Sequence, residues 1–304
     1  MEEADDTPGE EAGARFTIRT ATFSAVKPAP GLYLVATPIG NLSDVTLRAL
    51  EVIAAADRLY CEDTRVTAKL LARYGIRRRY GAYHEHSGEA ATEALLAELD
   101  AGRSVALVSD AGTPLVSDPG FRLGREAAAR GIPVVPVPGA SAPLAALLAS
   151  GLPSDSFFFA GFPPQKEAAR RARLQALLRV PGTLLFFEAP HRIAESLSDM
   201  AAVFGDRPAA VCRELTKAYE TIYRDTLPEL AARFGRQENV RGEIVVCVGP
   251  PAEEEAASEA DADAILKGLL AEMKPAKAAQ EAARLTGLPR RDLYARALGL
   301  KGEA

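Results

Sequence analysis

The sequence predicts an α/β protein with two α/β halves and a small helical extension at its C-terminal end. Short apolar runs of strand length alternate with amphipathic helical stretches from about residue 31 to residue 250, which is typical of sheets covered by helices. Gly- and Pro-rich turns follow several of these runs. From Ala264 to Leu300 the chain is rich in Ala and Leu, and breaks at Pro275 and at residues 287–289 indicate two or three short helices.

The composition indicates a folded protein of about two domains, since the chain has 304 residues and 48% of them are hydrophobic. No uncharged apolar run approaches about 18 residues, and the acidic first residues lack the basic segment of a secretory signal. We therefore expect a cytoplasmic protein without a membrane partner. Cys61, Cys212 and Cys247 are far apart and form no C-x-x-C pair, so we expect buried thiols rather than disulfides or a zinc site.

The formal net charge of −5 conceals an uneven distribution. Residues 1–14 carry six acidic side chains and no basic one, and residues 251–263 carry another six. Because twelve of the 41 acidic residues lie in these two segments, the rest of the chain has 36 basic against 29 acidic side chains. Basic patches that bind nucleic acid are therefore compatible with the acidic total.

The first half alternates strands and helices. Residues 1–29 predict a disordered leader, and residues 30–152 a first α/β domain. It begins with a strand at 32–36, a turn at 37–42 and an amphipathic helix that Ser43 or Asp44 can cap. The next predicted elements are a strand at 58–61, helices at 64–74 and 88–99, a strand at 105–108, a helix at 119–130, a strand at 132–135 and a helix at 143–149. This order predicts a mostly parallel sheet with helices on both faces.

The strand Val105 to Val108 ends in a loop with Asp110, Gly112 and Thr113. In open α/β sheets, ligands bind outside the carboxyl ends of the strands. Two other Gly/Pro turns, at 37–42 and 136–142, also follow predicted strands. We therefore expect the three turns to share one edge of the sheet and to line one pocket.

The second half, residues 153–250, predicts another α/β domain, followed by an acidic linker at 251–263 and a helical extension at 264–304. Its predicted strands lie at 157–160, 183–187, 209–212 and 243–248, and its predicted helices at 167–178 and 193–204.

Two common classes of protein that bind phosphate groups at such turns fit this sequence poorly. A haloacid dehalogenase-type phosphatase needs a second Asp where this chain has Gly112. A nicotinamide-binding Rossmann domain needs G-x-G-x-x-G after its first strand, which is absent here. Backbone groups of Gly/Pro turns suit instead an adenosine that carries a sulfonium, whose polarised C–H groups make weak contacts with carbonyl oxygens.

Seven ordered segments carry a family resemblance: residues 34–42, 61–65, 109–120, 138–141, 188–192, 213–217 and 241–243. They resemble the small-subunit ribosomal RNA cytidine 2'-O-methyltransferases, a family of the tetrapyrrole methylase superfamily. The resemblance implies S-adenosylmethionine bound in a cleft between two α/β domains, a homodimer, and 16S ribosomal RNA of the small subunit as substrate. Residues 37–42 replace the Gly-x-Gly-Pro-Gly-Asp turn of enzymes that act on tetrapyrroles, which argues against such a substrate.

By position in these motifs, the resemblance implies a cofactor site made of the three turns and one aromatic side chain from the second half. The implied residues are Pro38, Ile39, Asp110, Ala111, Gly112, Thr113, Ser141, Ala142 and Phe187.

For the chemistry, a weakly acidic ribose hydroxyl must attack a methyl group, so positioning and an optional base suffice. Lys217 with a depressed pKa, Glu214 and His191 are the candidate catalytic residues. The alternatives are an exposed ion pair between Glu214 and Lys217 at i, i+3 spacing, and a His191 bonded only to backbone. Orienting or RNA-contacting groups are expected at Glu188, Arg192 and Arg213, and phosphate contacts at Arg170, Arg171, Arg173 and the helical extension.

No metal site is predicted, because His84 and His86 lack a third ligand at a suitable spacing. A tetrapyrrole C-methylase, a diphthine synthase and a non-enzymatic ribosome-assembly factor remain alternatives to the RNA methyltransferase.

Overall fold

The computed structural model describes residues 14–84, 87–114, 121–237, 239–252, 259–286 and 289–302. It begins with an antiparallel hairpin of β1 (Arg15–Ile18) and β2 (Ala21–Ser24). Phe16 anchors the hairpin in the first core, and the Thr17 amide donates to the Tyr74 carbonyl at 2.7 Å. The prediction of disorder is therefore wrong for this part of the leader, while residues 1–13 lie outside the described residues.

The first sheet is parallel throughout, as its alternating elements predict. Its strands are β3 (Gly31–Val35), β4 (Arg58–Cys61), β5 (Gly81–Ala82), β6 (Ser104–Val108) and β7 (Val134–Val137), in the order β5-β4-β6-β3-β7. Side chains of α1 (Leu47–Ala55) and α2 (Thr64–Arg73) pack on one face, and those of α3 (Gly88–Asp100) and α4 (Phe121–Ala129) on the other.

The second sheet is mixed. Its strands are β8 (Phe157–Gly161), β9 (Thr183–Glu188), β10 (Pro208–Arg213), β11 (Thr221–Thr226) and β12 (Ile244–Val248), in the order β11-β10-β12-β9-β8. Only β8 and β9 pair in parallel. One face packs against α6 (Glu167–Leu177), α7 (Ile193–Phe204) and α8 (Leu227–Phe234).

The opposite face of the second sheet packs against α5 (Ala142–Ser150), the helix that ends the first half. Ala146 and Leu147 of α5 are buried against Leu185 and Val245. The two halves therefore meet at a shared apolar layer, next to the turn that precedes α5.

The C-terminal region forms three helices, α9 (Glu259–Glu272), α10 (Pro275–Thr286) and α11 (Arg290–Gly302). Leu266 and Leu293 belong to its own small core. The chain breaks before Pro275 as predicted, but α9 begins inside the stretch expected to be an acidic linker.

Several local predictions need correction. Thr46, rather than Ser43 or Asp44, caps α1, and Asn41 caps the short 3-10 helix Leu42–Asp44. Strand β7 lies two residues later than predicted, and β5, β11 and α8 were not predicted. The three cysteines are buried and free, as expected. Among the described helices, none has the length and apolar character to cross a membrane.

Candidate active site

The three predicted turns meet at one edge of the first sheet. Thr37 and Gly112 pair through both of their backbone N–H groups, with N···O distances of 2.9 and 3.0 Å. The Thr113 hydroxyl donates to the Ala140 carbonyl at 3.2 Å, which ties the second turn to the third. The prediction that the turns share one rim is confirmed. They form a continuous wall made mostly of backbone.

Gly112 is a position in this wall where the backbone has little room for a side chain. Its φ of +81° lies in the left-handed region, which L side chains rarely adopt. A Cβ there would lie 3.2 Å from Ile39 Cγ2 and 3.6 Å from the Ala140 oxygen. The backbone therefore stays bare where it faces the cleft.

A cleft of about 360 Å³ lies between this wall and the second half, which is within the range of about 300–1,000 Å³ usual for small-molecule sites. The second wall comes from the ends of β9, β10 and β12 and the segments beside them. The lining residues are Ile39, Ala111, Gly112, Thr113, Ser141, Ala142, Pro143, Phe162, Phe187, Glu188, Ala189, Pro190, Cys212, Leu215, Gly242, Glu243, Ile244 and Val245.

Most of the residues predicted to hold the cofactor line this cleft, but Pro38 and Asp110 do not. Pro38 is buried. The Asp110 carboxylate turns instead toward α2, where its Oδ1 accepts from the Asp63 amide at 2.8 Å. Burial raises the pKa of Asp110. Asp110 therefore supports the loop and does not itself line the cleft.

The cleft has the chemistry that an adenosine sulfonium requires. Phe187 and Phe162 stand in tilted contact, with ring centroids 5.3 Å apart, and supply an apolar face. The bare backbone around Gly112 supplies carbonyl and amide groups opposite. The residues present thus fit S-adenosylmethionine, and Ile39, Ala111 to Thr113, Ser141 and Ala142 would hold it.

A charged cluster stands beside the second wall, and of its three residues Glu243 lines the cleft whereas Glu214 and Lys217 lie behind it. The Lys217 ammonium donates to Glu214 Oε1 at 2.8 Å and to Glu243 Oε2 at 3.1 Å. Glu214 Oε1 also accepts from the Glu243 amide at 2.9 Å. The Glu243 side chain is 76% exposed and lines the cleft, whereas that of Glu214 is only 18% exposed. The predicted i, i+3 ion pair is therefore part of a three-residue network.

The backbone that carries this network is strained. Glu214 and Thr216 have φ values of 54° and 64°, and a β-branched residue such as Thr is a marked outlier there. The Asn41 amide of the first half donates to the Thr216 hydroxyl at 3.1 Å. A Cβ on Gly242 would lie 2.5 Å from Glu214 Cγ. The strained loop is thus fixed from both halves.

The prediction that Lys217 has a depressed pKa is wrong. Burial lowers the pKa of Lys217, but the hydrogen bonds to Glu214 and Glu243 outweigh burial and leave it above 10.5. The pKa of Glu214 lies below 4.5, because Lys217 and the Glu243 amide donate to its carboxylate. Lys217 is therefore a cation at neutral pH and cannot act as a base.

The segment after β9 holds its charges internally. The Glu188 carboxylate is buried and accepts from Arg192 Nε at 3.0 Å, from the Ala189 amide at 2.7 Å and from the Ser196 hydroxyl. These hydrogen bonds show that Glu188 orients Arg192, and Glu188 also lines the cleft. His191 is exposed and does not line the cleft.

Arg213 makes a hydrogen bond within the protein, and the basic helix α6 differs in part from expectation. Arg213 donates to the Arg241 carbonyl at 3.0 Å. Arg170 is 2% exposed and bonds to Asp199 Oδ2 at 2.6 Å, so its predicted contact with phosphate is wrong. Arg171 pairs with Asp199 and Glu167, whereas Arg173 is exposed.

The main functional residues missed by sequence reasoning are Phe162, Gly242 and Glu243. Residues 241–243 belong to a motif that carries the resemblance, but nothing in that motif reveals its contact with Lys217. Phe162 follows β8 and precedes Pro163-Pro164, where the sequence resembles an ordinary turn.

Two protein families match the chain in sequence. The family of Tetrapyrrole (Corrin/Porphyrin) Methylases matches residues 31–231, and the RsmI C-terminal HTH domain matches residues 256–301. The chain therefore belongs to the tetrapyrrole methylase family and is an S-adenosylmethionine-dependent methyltransferase.

Within that class, the chain belongs to the ribosomal RNA small subunit methyltransferase I family. It is 60% identical to the protein of that name from Mesorhizobium japonicum over 273 residues, which cover 90% of this chain and 92% of the relative. It is 47% identical to the protein of that name from Escherichia coli O157:H7, covering 89% of this chain and 96% of the relative.

Solved structures share the fold. A uroporphyrin-III-C-methyltransferase from Thermus thermophilus superimposes with a TM-score of 0.53 at 24% identity, over 72% of this chain and 94% of that chain. The methyltransferase CobJ gives a TM-score of 0.55 at 20% identity, over 73% of this chain and 95% of that chain.

Proposed function

We propose that the protein methylates the 2'-hydroxyl of a cytidine ribose in the decoding region of 16S ribosomal RNA, within the small subunit. The relatives at 42–60% identity all carry the name ribosomal RNA small subunit methyltransferase I. The observation that carries the proposal is the position of the Glu214–Lys217–Glu243 network beside the cleft, opposite the backbone wall. The family's tetrapyrrole enzymes and a diphthine synthase share the fold at lower identity, and their substrates do not transfer by fold alone.

When bound, S-adenosylmethionine supplies a methyl group on a sulfonium sulfur, so that transfer to a hydroxyl breaks an S–C bond, forms an O–C bond and releases a proton. The Lys217 ammonium favours negative charge that develops on the attacking oxygen. The hydrogen bonds to Glu214 and Glu243 fix the position of the ammonium before the reaction. The cation therefore does not have to reorient as negative charge develops.

We assign acceptance of the hydroxyl proton to Glu243. Its carboxylate lines the cleft and is mostly exposed, with one hydrogen bond to Lys217. Glu214 is the poorer acceptor, since its Oε1 already takes two hydrogen bonds. Glu243 and Lys217 are therefore the catalytic residues of the proposed reaction, and Glu214 is a positioning residue.

The homodimer, the cytoplasmic location and contact between the C-terminal helices and RNA are further parts of this proposal. The name of the family that matches residues 256–301 supports the last of these.

The experiment is methyl transfer from labelled S-adenosylmethionine to small subunits from cells that lack the activity, followed by mapping of ribose methylation. We expect one labelled cytidine in 16S RNA, resistant to alkaline cleavage on its 3' side. Label on a base, on 23S RNA or on protein would contradict the proposal, and a factor that only binds would transfer no label.

A further inference from the structure

Two basic segments without acidic residues lie in the first half of the molecule, away from α6. Residues 64–80 contain six basic side chains and no acidic one, and residues 14–43 contain three basic and no acidic. The hairpin β1–β2 lies against the end of α2, through the Thr17 to Tyr74 hydrogen bond and through Phe16 in the shared core. The fold therefore joins two acid-free segments into one surface.

Six cations of these segments are exposed, and none of them forms an ion pair with the described part of the chain. The other three are already engaged: Arg65 with Asp63, Lys27 with Asp57, and Arg78 with the Ile53 and Ala56 carbonyls. We call the six residues the α2 basic surface: Arg15, Arg19, Lys69, Arg73, Arg77 and Arg79.

The other face of the same sheet shows what ordinary surface arginines do here. Arg122 pairs with Glu89 and Glu126, and Arg130 pairs with Glu93 and Asp100. Two exposed arginines on this face are thus neutralised by acidic neighbours. The α2 basic surface departs from that pattern.

The surface extends from the C-terminal end of α2 along the helix toward the active site. Helix α2 begins next to the loop that lines the cleft, since Asp110 of that loop accepts from the Asp63 amide before α2. Lys69 and Arg73 are four residues apart on one face, which puts them about 6 Å apart along the helix axis. Cations in a row at this interval suit the successive phosphates of a nucleic-acid strand.

We propose that the α2 basic surface binds the phosphate backbone of the RNA whose ribose enters the cleft. This inference rests on the proposed function and adds a docking surface to it. Phosphate contacts orient the nucleic acid without selecting its sequence, so the surface sets the approach to the cleft. The hairpin lies outside residues 31–231, the part matched by the methylase family.

The test uses the full-length double variant Lys69→Glu, Arg73→Glu and measures its affinity for small subunits over a range of salt concentrations. Each phosphate contact contributes about 0.7 to 0.9 to the slope of log K against log salt. We expect the slope to fall by about 1.5 and the affinity to fall at least tenfold at about 0.1 M salt. Affinity for S-adenosylhomocysteine should not change.

The matched control is Arg125→Glu, Arg236→Glu, which changes the same charge at exposed positions on α4 and after α8. It should keep the slope of the wild type. If the charge reversal unfolds the protein, Lys69→Gln, Arg73→Gln replaces it, with the same slope expected. Wild-type slope and affinity in the α2 variant, or equal losses in the control, would show that the α2 basic surface does not bind RNA. Either result would leave the proposed function intact. Failure of the wild type to bind or methylate small subunits would overturn both.

Discussion

The two walls of the cleft are built from different chemical groups. The first wall is backbone, three Gly/Pro turns joined to each other at the ends of parallel strands. The second wall carries aromatic rings and a network of one ammonium and two carboxylates on a strained loop. Backbone groups suit a ligand that is always the same, such as the cofactor. Charged side chains suit the reacting ribose oxygen and the RNA that carries it.

The two walls divide cofactor binding from chemistry, and single substitutions test that division. A first-wall variant should lose the cofactor. A variant of the charged network on the second wall should keep the cofactor and lose rate.

The largest expected effect is that of Gly112→Ala. A Cβ at φ +81° and 3.2 Å from Ile39 distorts the turn that lines the cleft, so we expect affinity for S-adenosylhomocysteine, measured by calorimetry, to fall at least 100-fold. Gly102→Ala is the control, because Gly102 has φ +74° but open space around its Cβ, at the end of α3. Both variants should lose about 1–2 kcal/mol of stability from the left-handed backbone. Equal affinities in the two variants would show that the first wall does not bind the cofactor.

Lys217→Met should come next. Loss of a fixed donor near developing negative charge costs about 10²- to 10³-fold in kcat, and we expect that loss in single-turnover methylation of small subunits. Cofactor affinity should stay within about twofold of the wild type. The control Lys27→Met breaks a Lys–Asp57 pair of 2.7 Å outside the cleft and should leave the rate unchanged. A variant at Lys217 that keeps its rate would show that the network is only structural.

The pH dependence sharpens the same point. Glu214 has a lowered pKa, so its contribution to stability is present above pH 4.5 and is lost as pH falls through its folded value. Lys217 has a raised pKa, so its contribution is present below pH 10.5 and is lost as pH rises through its folded value. We therefore expect Lys217 to add no titration to the rate between those limits. A step near neutral pH that disappears in Lys217→Met would restore Lys217 as the base.

The smallest expected effect is that of Phe162→Ala. The Phe162 ring is 58% exposed and touches Phe187 at 5.3 Å between centroids. An aromatic contact of this kind adds about 0.5–1.5 kcal/mol beyond area burial, which corresponds to about a 2- to 10-fold loss of cofactor affinity. Phe158→Ala removes a partly exposed ring of β8 that does not line the cleft, and it should leave that affinity unchanged.

The sequence was most informative where one local pattern decides the structure. Buried strands followed by Gly/Pro turns predicted the first wall, because the carboxyl ends of parallel strands meet at one edge. It was least informative where partners are distant in the chain. Arg170 is buried in an ion pair with Asp199, which lies on another helix. The pKa of Lys217 is raised in part by a hydrogen bond to Glu243, which belongs to a distant segment. The hairpin was missed because an acidic leader precedes it and only Phe16 is deeply buried.

A crystal structure with S-adenosylhomocysteine tests this division of the cleft most directly. We expect the ligand to contact the backbone at 111–113 and 141–142, with the Glu214–Lys217–Glu243 network beside it and not bound to the ligand's carboxylate. A ligand bound away from Gly112, or held chiefly by the charged network, would contradict the division of the cleft into a cofactor wall and a reacting wall.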